Sequence, residues 1–140
     1  MDRPFDAAVI GAGWAGLGVS YVLAKAGLLH RVLERGRIGE TWLTQRWDSF
    51  YLNTPKIRAV MPGDRYEGPD AEGFYTRDEF VAILEDYARR YRLPVATNTP
   101  VTALTRDGKA GVYRLITPAG ELTARAVVIG SGSLYRARRP

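Results

Sequence analysis

The stretch Ala8-Val9-Ile10-Gly11-Ala12-Gly13-Trp14-Ala15-Gly16-Leu17-Gly18 decides the fold. A short apolar run enters three glycines at the spacing G-x-G-x-x-G and continues into a helical pattern, the order of parts in a dinucleotide-binding strand, turn and helix. Each glycine has its own task. Gly11 permits the tight turn out of the strand, Gly13 lets the backbone approach a pyrophosphate, and Gly16 lets the helix pack closely on the sheet. The helix start then offers free N–H groups and a partial positive charge to an anion. Taken alone the pattern is weak, because a chain rich in glycine and alanine produces one by chance and a purely structural βαβ unit carries the same residues.

The flanking sequence strengthens it. Ala15 to Ala26 holds Leu17, Val19, Tyr21, Val22 and Leu23 without proline, and Gly27 stands where a helix C-terminal glycine belongs. His30-Arg31-Val32-Leu33 reads as a second strand with His30 at its start. It ends at Glu34, eighteen residues past Gly16, close to the separation at which a carboxylate accepts two ribose hydroxyls. The competing reading of Glu34 is a solvated strand-end charge beside Arg35. A carboxylate here also disfavours a 2′-phosphate, since like charges would meet.

Residues 35–75 show no sustained period and are rich in Gly, Pro and aromatics, so they read as a long functional loop. Trp42, Trp47, Phe50 and Tyr51 fit either a small satellite core or the apolar wall of a ring-binding cleft. Thr76-Arg77-Asp78-Glu79 is a capping box that opens a helix from Arg77 to about Arg92, with Phe80, Ile83, Leu84, Tyr87, Ala88 and Tyr91 at helical spacing. Pro94 ends it and Val95 to Thr97 reads as a short strand. Val101 to Thr105, Val112 to Thr117 and Glu121 to Ile129 form an antiparallel meander, punctuated by Asp107-Gly108 and Pro118-Ala119-Gly120. Ala124 to Ile129 reads as a strand buried on both faces of a parallel sheet, stopping at Gly130-Ser131-Gly132. With Tyr135 three positions past Gly132, no second fingerprint follows.

The chain has 140 residues, a net charge of +5, one histidine and no cysteine. That length is one domain by the usual prior and short for an enzyme holding a dinucleotide and a substrate. Without cysteine, disulfide staples, thiolate metal sites and cysteine nucleophiles are excluded, and one histidine leaves no Ser-His triad or His-rich metal site to expect. The arginines are scattered, apart from the terminal cluster Arg136-Ala137-Arg138-Arg139, so a nucleic-acid surface is not expected. No apolar run reaches the roughly 20 residues of a membrane span and no secretory segment is present, which reads as a cytoplasmic protein.

In this order the parts resemble the first FAD-binding segment of the class B flavin-dependent monooxygenases, nearest to bacterial flavin-containing monooxygenase-like proteins. The resemblance rests on the glycine turn, Glu34, Gly39-Glu40-Thr41-Trp42, Leu52-Asn53-Thr54-Pro55, the capped helix, the meander and Val127-Val128-Ile129-Gly130-Ser131-Gly132. It covers essentially the whole chain. It implies a Rossmann-like α/β FAD-binding domain over residues 1–140, with a parallel sheet and an inserted antiparallel meander. It also implies an enzyme that reduces FAD with NADPH and holds a flavin hydroperoxide to oxygenate a small organic substrate.

By position, Gly11, Gly13, Trp14, Ala15 and Gly16 would surround the FAD pyrophosphate, and Glu34 with Arg35 the adenosine ribose. Thr41 and Trp42 match the turn that lies along the flavin side. Asn53 and Thr54 match the pair beside the isoalloxazine ring, where the Asn53 amide would be the catalytic group. Val101 corresponds to the residue whose backbone meets adenine, and Ser131 and Gly132 replace the usual Thr-Gly. The second, NADPH-binding fingerprint and the elements that complete the FAD domain would lie past Pro140. The expectation is therefore a fragment of a longer oxidoreductase, inactive alone. The alternative is a non-catalytic dinucleotide-binding or subunit-interaction module, completed by another chain or by self-association. The disulfide reductases of this fold are excluded by the missing cysteine pair, and a classical NAD dehydrogenase domain is disfavoured by the long aromatic segment and the meander.

Overall fold

Residues 3–133 are described by a computed structural model, in the order β1 (Phe5–Ile10), α1 (Trp14–Lys25), β2 (His30–Leu33), α2 (Glu40–Gln45), α3 (Arg77–Arg90), β3 (Val95–Ala96), β4 (Ala103–Asp107), β5 (Val112–Thr117) and β6 (Gly120–Ile129). Tyr135 and the basic cluster at Arg136 to Arg139 lie outside the described residues. The strands form one sheet in the order β3-β2-β1-β6-β5-β4. β1 is parallel to β2, with Ala7 opposite His30 and Ile10 opposite Leu33, and β2 is parallel to β3.

β6 joins the two halves of the sheet. Its first part, Gly120 to Ala124, runs antiparallel to β5, and its second, Ala124 to Ile129, runs parallel to β1 with Ile129 opposite Ile10. One ten-residue strand thus closes the meander and extends the parallel core. The expectation of a strand buried on both faces is not met, because Ile129 is 69% exposed and Ala126 is exposed. The cause is register: β5 leaves the pairing at Tyr113, opposite Ala124, so no described strand covers the β5 side of residues 126–129.

The period of two in the strands sorts side chains between two clusters. Val9 and Val32 face Leu17 of α1 and Phe80, Leu84 and Tyr87 of α3, forming the main core. Ala8 and Leu33 point the other way and pack with Leu115 of β5 and Ala124 of β6. α1 ends at Ala26, and Gly27 follows with a left-handed φ of +71°, as its position predicts. α3 is opened by the full capping box: the Thr76 hydroxyl accepts from the Glu79 amide at 3.1 Å and the Glu79 carboxylate from the Thr76 amide at 2.9 Å. Such a cap contributes about 1 kcal/mol.

The segment after Glu34 departs most from a simple loop. It contains α2, a helix the sequence pattern does not reveal, since six residues hold too few turns to show a period. Gly39 starts it with φ +71°, and its amide donates to the Ala12 carbonyl at 3.2 Å, which ties α2 to the glycine turn. Farther on, the chain doubles back as a ribbon: the Leu52 amide donates to the Tyr75 carbonyl at 2.9 Å and the Lys56 amide to the Gly73 carbonyl at 2.8 Å. Leu52, Ala59 and Met61 enter the main core from this ribbon. The aromatics join that core rather than a satellite. Trp14 stacks on Phe80 at 5.4 Å between centroids, and Trp42 meets Phe80 edge-on at 4.9 Å, while Trp47 and Tyr51 remain exposed. Among the described residues no helix is long and apolar enough to cross a membrane.

Candidate dinucleotide site

A cavity of about 950 Å³ opens beyond the carboxyl ends of β1, β2 and β6, where open α/β sheets take their ligands. The glycine turn supplies Gly11, Gly13, Trp14 and Ala15 to its lining, and the end of β2 supplies Glu34 and Arg35. Thr41 and Trp42 come from α2, Val101 from the approach to β4, and Ser131 and Gly132 from the end of β6. These residues lie far apart in sequence and converge because three parallel strands end on one level.

The three glycines are required for different reasons, and the geometry separates them. Gly11 has φ +104°, and a Cβ there would stand 2.4 Å from the Gly130 carbonyl oxygen. At Gly16 a Cβ would stand 1.8 Å from the Gly11 carbonyl oxygen, so α1 reaches β1 only through a bare Cα. Gly13 is unlike both. Its φ of −94° suits any residue, and a Cβ there would meet nothing within 4 Å. Among the described residues nothing blocks a side chain at 13, and the open space beside it belongs to the cavity. No side chain caps α1, so the N–H groups of its first turn, beside Gly13, Trp14 and Ala15, have no side-chain acceptor.

Glu34 is buried, with one oxygen accepting from the Ala12 amide at 2.8 Å and the other from the Gly36 amide at 2.9 Å. Its carboxylate therefore fastens the glycine turn to the end of β2, and the lone pairs left on its two oxygens can still accept hydroxyl donors. His30 is buried at the start of β2, with Nδ1 bonded to the Leu28 carbonyl at 2.9 Å and Nε2 to the Ser20 hydroxyl at 2.8 Å. That link fixes α1 against β2 and gives His30 a structural task. Glu40 also lines the cavity, but the Arg37 guanidinium binds it at 2.7 Å and holds its carboxyl below the usual range.

Three of the residues singled out from sequence lie outside this lining. Gly16 sits behind it, pressed on Gly11. Asn53 and Thr54 are exposed and away from the lining, because the neighbouring Leu52 is the one that turns into the core. Conversely, Gly39, Glu40, Arg46, Pro100 and Gly130 line the cavity without having been singled out as contacts. Gly130 serves the chain itself, since a Cβ there would press the Ile10 carbonyl at 3.3 Å and the Gly16 amide at 3.4 Å. Among the described residues no cluster of His, Asp or Glu is placed to hold a metal ion.

The fold and the cavity together define a Rossmann-like dinucleotide-binding domain. The chain belongs to the pyridine nucleotide-disulphide oxidoreductase family, whose sequence profile matches residues 8–140. These 140 residues contain no cysteine. Within the family its similarity runs to flavin monooxygenases and related oxidoreductases. It is 34% identical over 137 residues to an uncharacterised CzcO-like oxidoreductase of Geobacillus kaustophilus, covering 97% of this chain and 38% of that protein. It is 32% identical over 114 residues to the indole-3-pyruvate monooxygenase YUCCA6 of Arabidopsis thaliana, covering 81% of this chain and 27% of that protein. In structure it matches a flavin-containing monooxygenase from Stenotrophomonas maltophilia with a TM-score of 0.85 at 28% identity, over 99% of this chain and 42% of that one. The chain spans between about a quarter and two fifths of the length of these relatives.

Proposed function

We propose that residues 1–140 are the FAD-binding part of an NADPH-dependent flavin monooxygenase acting on a small organic substrate. The observation that carries this reading is Gly13, the N-cap of α1, whose bare Cα faces open space in the cavity lining where a pyrophosphate would approach the backbone. The residues present fit FAD. The glycine turn and the start of α1 would receive its pyrophosphate through backbone N–H groups. Glu34 would accept from the adenosine ribose, and the backbone around Val101 would flank the adenine. Thr41, Trp42, Ser131 and Gly132 would line the path toward the flavin.

Bound FAD would supply the redox chemistry, accepting hydride from NADPH and activating oxygen for transfer to the substrate. The chain's own residues supply binding, orientation and shelter from water, and no side chain here is asked to be a general acid or base. Asn53 keeps a part in this reading only if its exposed amide is turned to the flavin when the cofactor and the rest of a longer protein are in place. Two solved structures support the pairing of cofactors: a steroid monooxygenase bound to NADP matches at 28% identity with a TM-score of 0.86, and the Stenotrophomonas enzyme is itself named flavin-containing.

Thermal denaturation with FAD or NADP⁺ tests the reading. FAD raises the midpoint of the 140-residue chain, and NADP⁺, whose 2′-phosphate meets Glu34, leaves it unchanged. Stabilisation by NADP⁺ alone overturns the assignment.

A further inference from the structure

Four charged side chains line the cavity: Glu34, Arg35, Glu40 and Arg46. Glu34 has both oxygens engaged by backbone amides, and Glu40 is neutralised by Arg37. Arg46 also lines the cavity, and among the described residues no carboxylate pairs with it. Its guanidinium carbon lies 5.2 Å from the Trp42 ring centroid and 5.3 Å from that of Phe50. Of its five N–H donors, the described structure gives one a protein acceptor, the Gln45 carbonyl at 3.1 Å. The aromatic rings hold the side chain through cation–π contact, which leaves the in-plane donors free. Its backbone is fixed as well, by the Arg77 guanidinium donating to the Arg46 carbonyl at 3.1 Å. A half-buried, preoriented cation with open donors and no counter-charge is built for an anion.

Resting on the FAD reading above, we propose that Arg46 is an anion-binding side chain of this cavity, meeting negative charge on the bound cofactor. Negative charge in FAD is of two kinds: the full charge of the pyrophosphate oxygens and the partial charge of the flavin carbonyl oxygens. The pyrophosphate end is already served by the start of α1. Arg46 follows α2 and reaches Trp14 only through successive ring contacts of Trp42 and Phe80, a placement that favours the flavin end.

The test titrates FAD and, separately, ADP into the 140-residue chain and into Arg46→Gln and Arg46→Lys at low and high salt, following tryptophan emission. Losing a charge-assisted hydrogen bond costs about tenfold in affinity, so Arg46→Gln binds FAD about tenfold more weakly. Its FAD affinity also depends less on salt, because one fewer charge is screened. Arg46→Lys keeps the charge and falls between the two. ADP affinity unchanged in Arg46→Gln places the charge at the flavin; an equal loss for ADP places it at the pyrophosphate.

Wild-type affinity and salt dependence in Arg46→Gln overturn the proposal while leaving the FAD reading intact. Equal losses in both variants with an unchanged salt dependence also overturn it, by showing a packing role. A wild-type chain that binds neither FAD nor ADP removes both.

Discussion

Alanine placed in turn at Gly11, Gly13 and Gly16 separates what the chain needs from what the ligand needs. At Gly16 the added methyl would stand 1.8 Å from the Gly11 carbonyl oxygen, a backbone atom that moves only if α1 lifts from β1. Overpacking of this kind costs about 3 kcal/mol or more, which lowers the midpoint of a domain this size by roughly 10 °C. At Gly11 a left-handed φ of +104° adds to a 2.4 Å clash, and a similar loss follows. At Gly13 the methyl enters open space from an ordinary φ. There the weaker helix cap and the lower entropy of the unfolded chain nearly offset, leaving stability within about 1 kcal/mol of wild type. The same methyl occupies the place of a pyrophosphate, so FAD affinity falls by about 10- to 100-fold. Thermal melts without ligand and FAD titrations of the folded variants read the two effects separately. A Gly13→Ala protein as unstable as Gly16→Ala, or one with undiminished FAD affinity, refutes the reasoning.

Three further outcomes follow from other parts of the structure. Glu34→Gln leaves one of the two amides on Ala12 and Gly36 without its acceptor, which costs about 1 to 3 kcal/mol of stability, and it narrows the preference for FAD over NADP⁺ by removing the charge; an unchanged melt contradicts this. Asp64 accepts from Arg90 at 2.6 Å and from the Tyr91 hydroxyl at 2.7 Å, and chiefly the Arg90 bond holds its carboxyl below the usual range. Its contribution is therefore full above the unfolded value near 4 and disappears as pH falls through the lower folded value, so acid lowers the melting point less in Asp64→Asn than in wild type. The open side of β6 at residues 126–129, with Ile129 69% exposed, makes the 140-residue chain self-associate, and Ile129→Lys restores monomers in sedimentation; a monodisperse wild-type monomer removes this inference.

Much of the scaffold is legible in the sequence because its signals are local. β2 and β5 follow from short apolar runs bounded by turn residues, and α3 from a capping box placed before a helical period. The glycine turn announces itself through residues adjacent in the chain. What escapes depends on partners far away. Nothing near Gly130 says that it presses on Gly16, and nothing near Ile129 says that β5 turns away before covering it. α2 is too short to show a period, and its start depends on Gly39 bonding to Ala12. Arg46 is legible only as one scattered arginine until the fold sets it over Trp42 and Phe50. Asn53 and Thr54 carry no signal beyond the resemblance, and both are exposed beside the buried Leu52.

The most direct test of the account is an absorbance spectrum of the purified 140-residue chain after incubation with FAD and desalting, with Gly13→Val treated in parallel. Flavin bands that travel with the wild-type chain and not with the variant are the predicted result. Flavin lost from both, or retained equally by both, contradicts the claim that this glycine turn is a cofactor site.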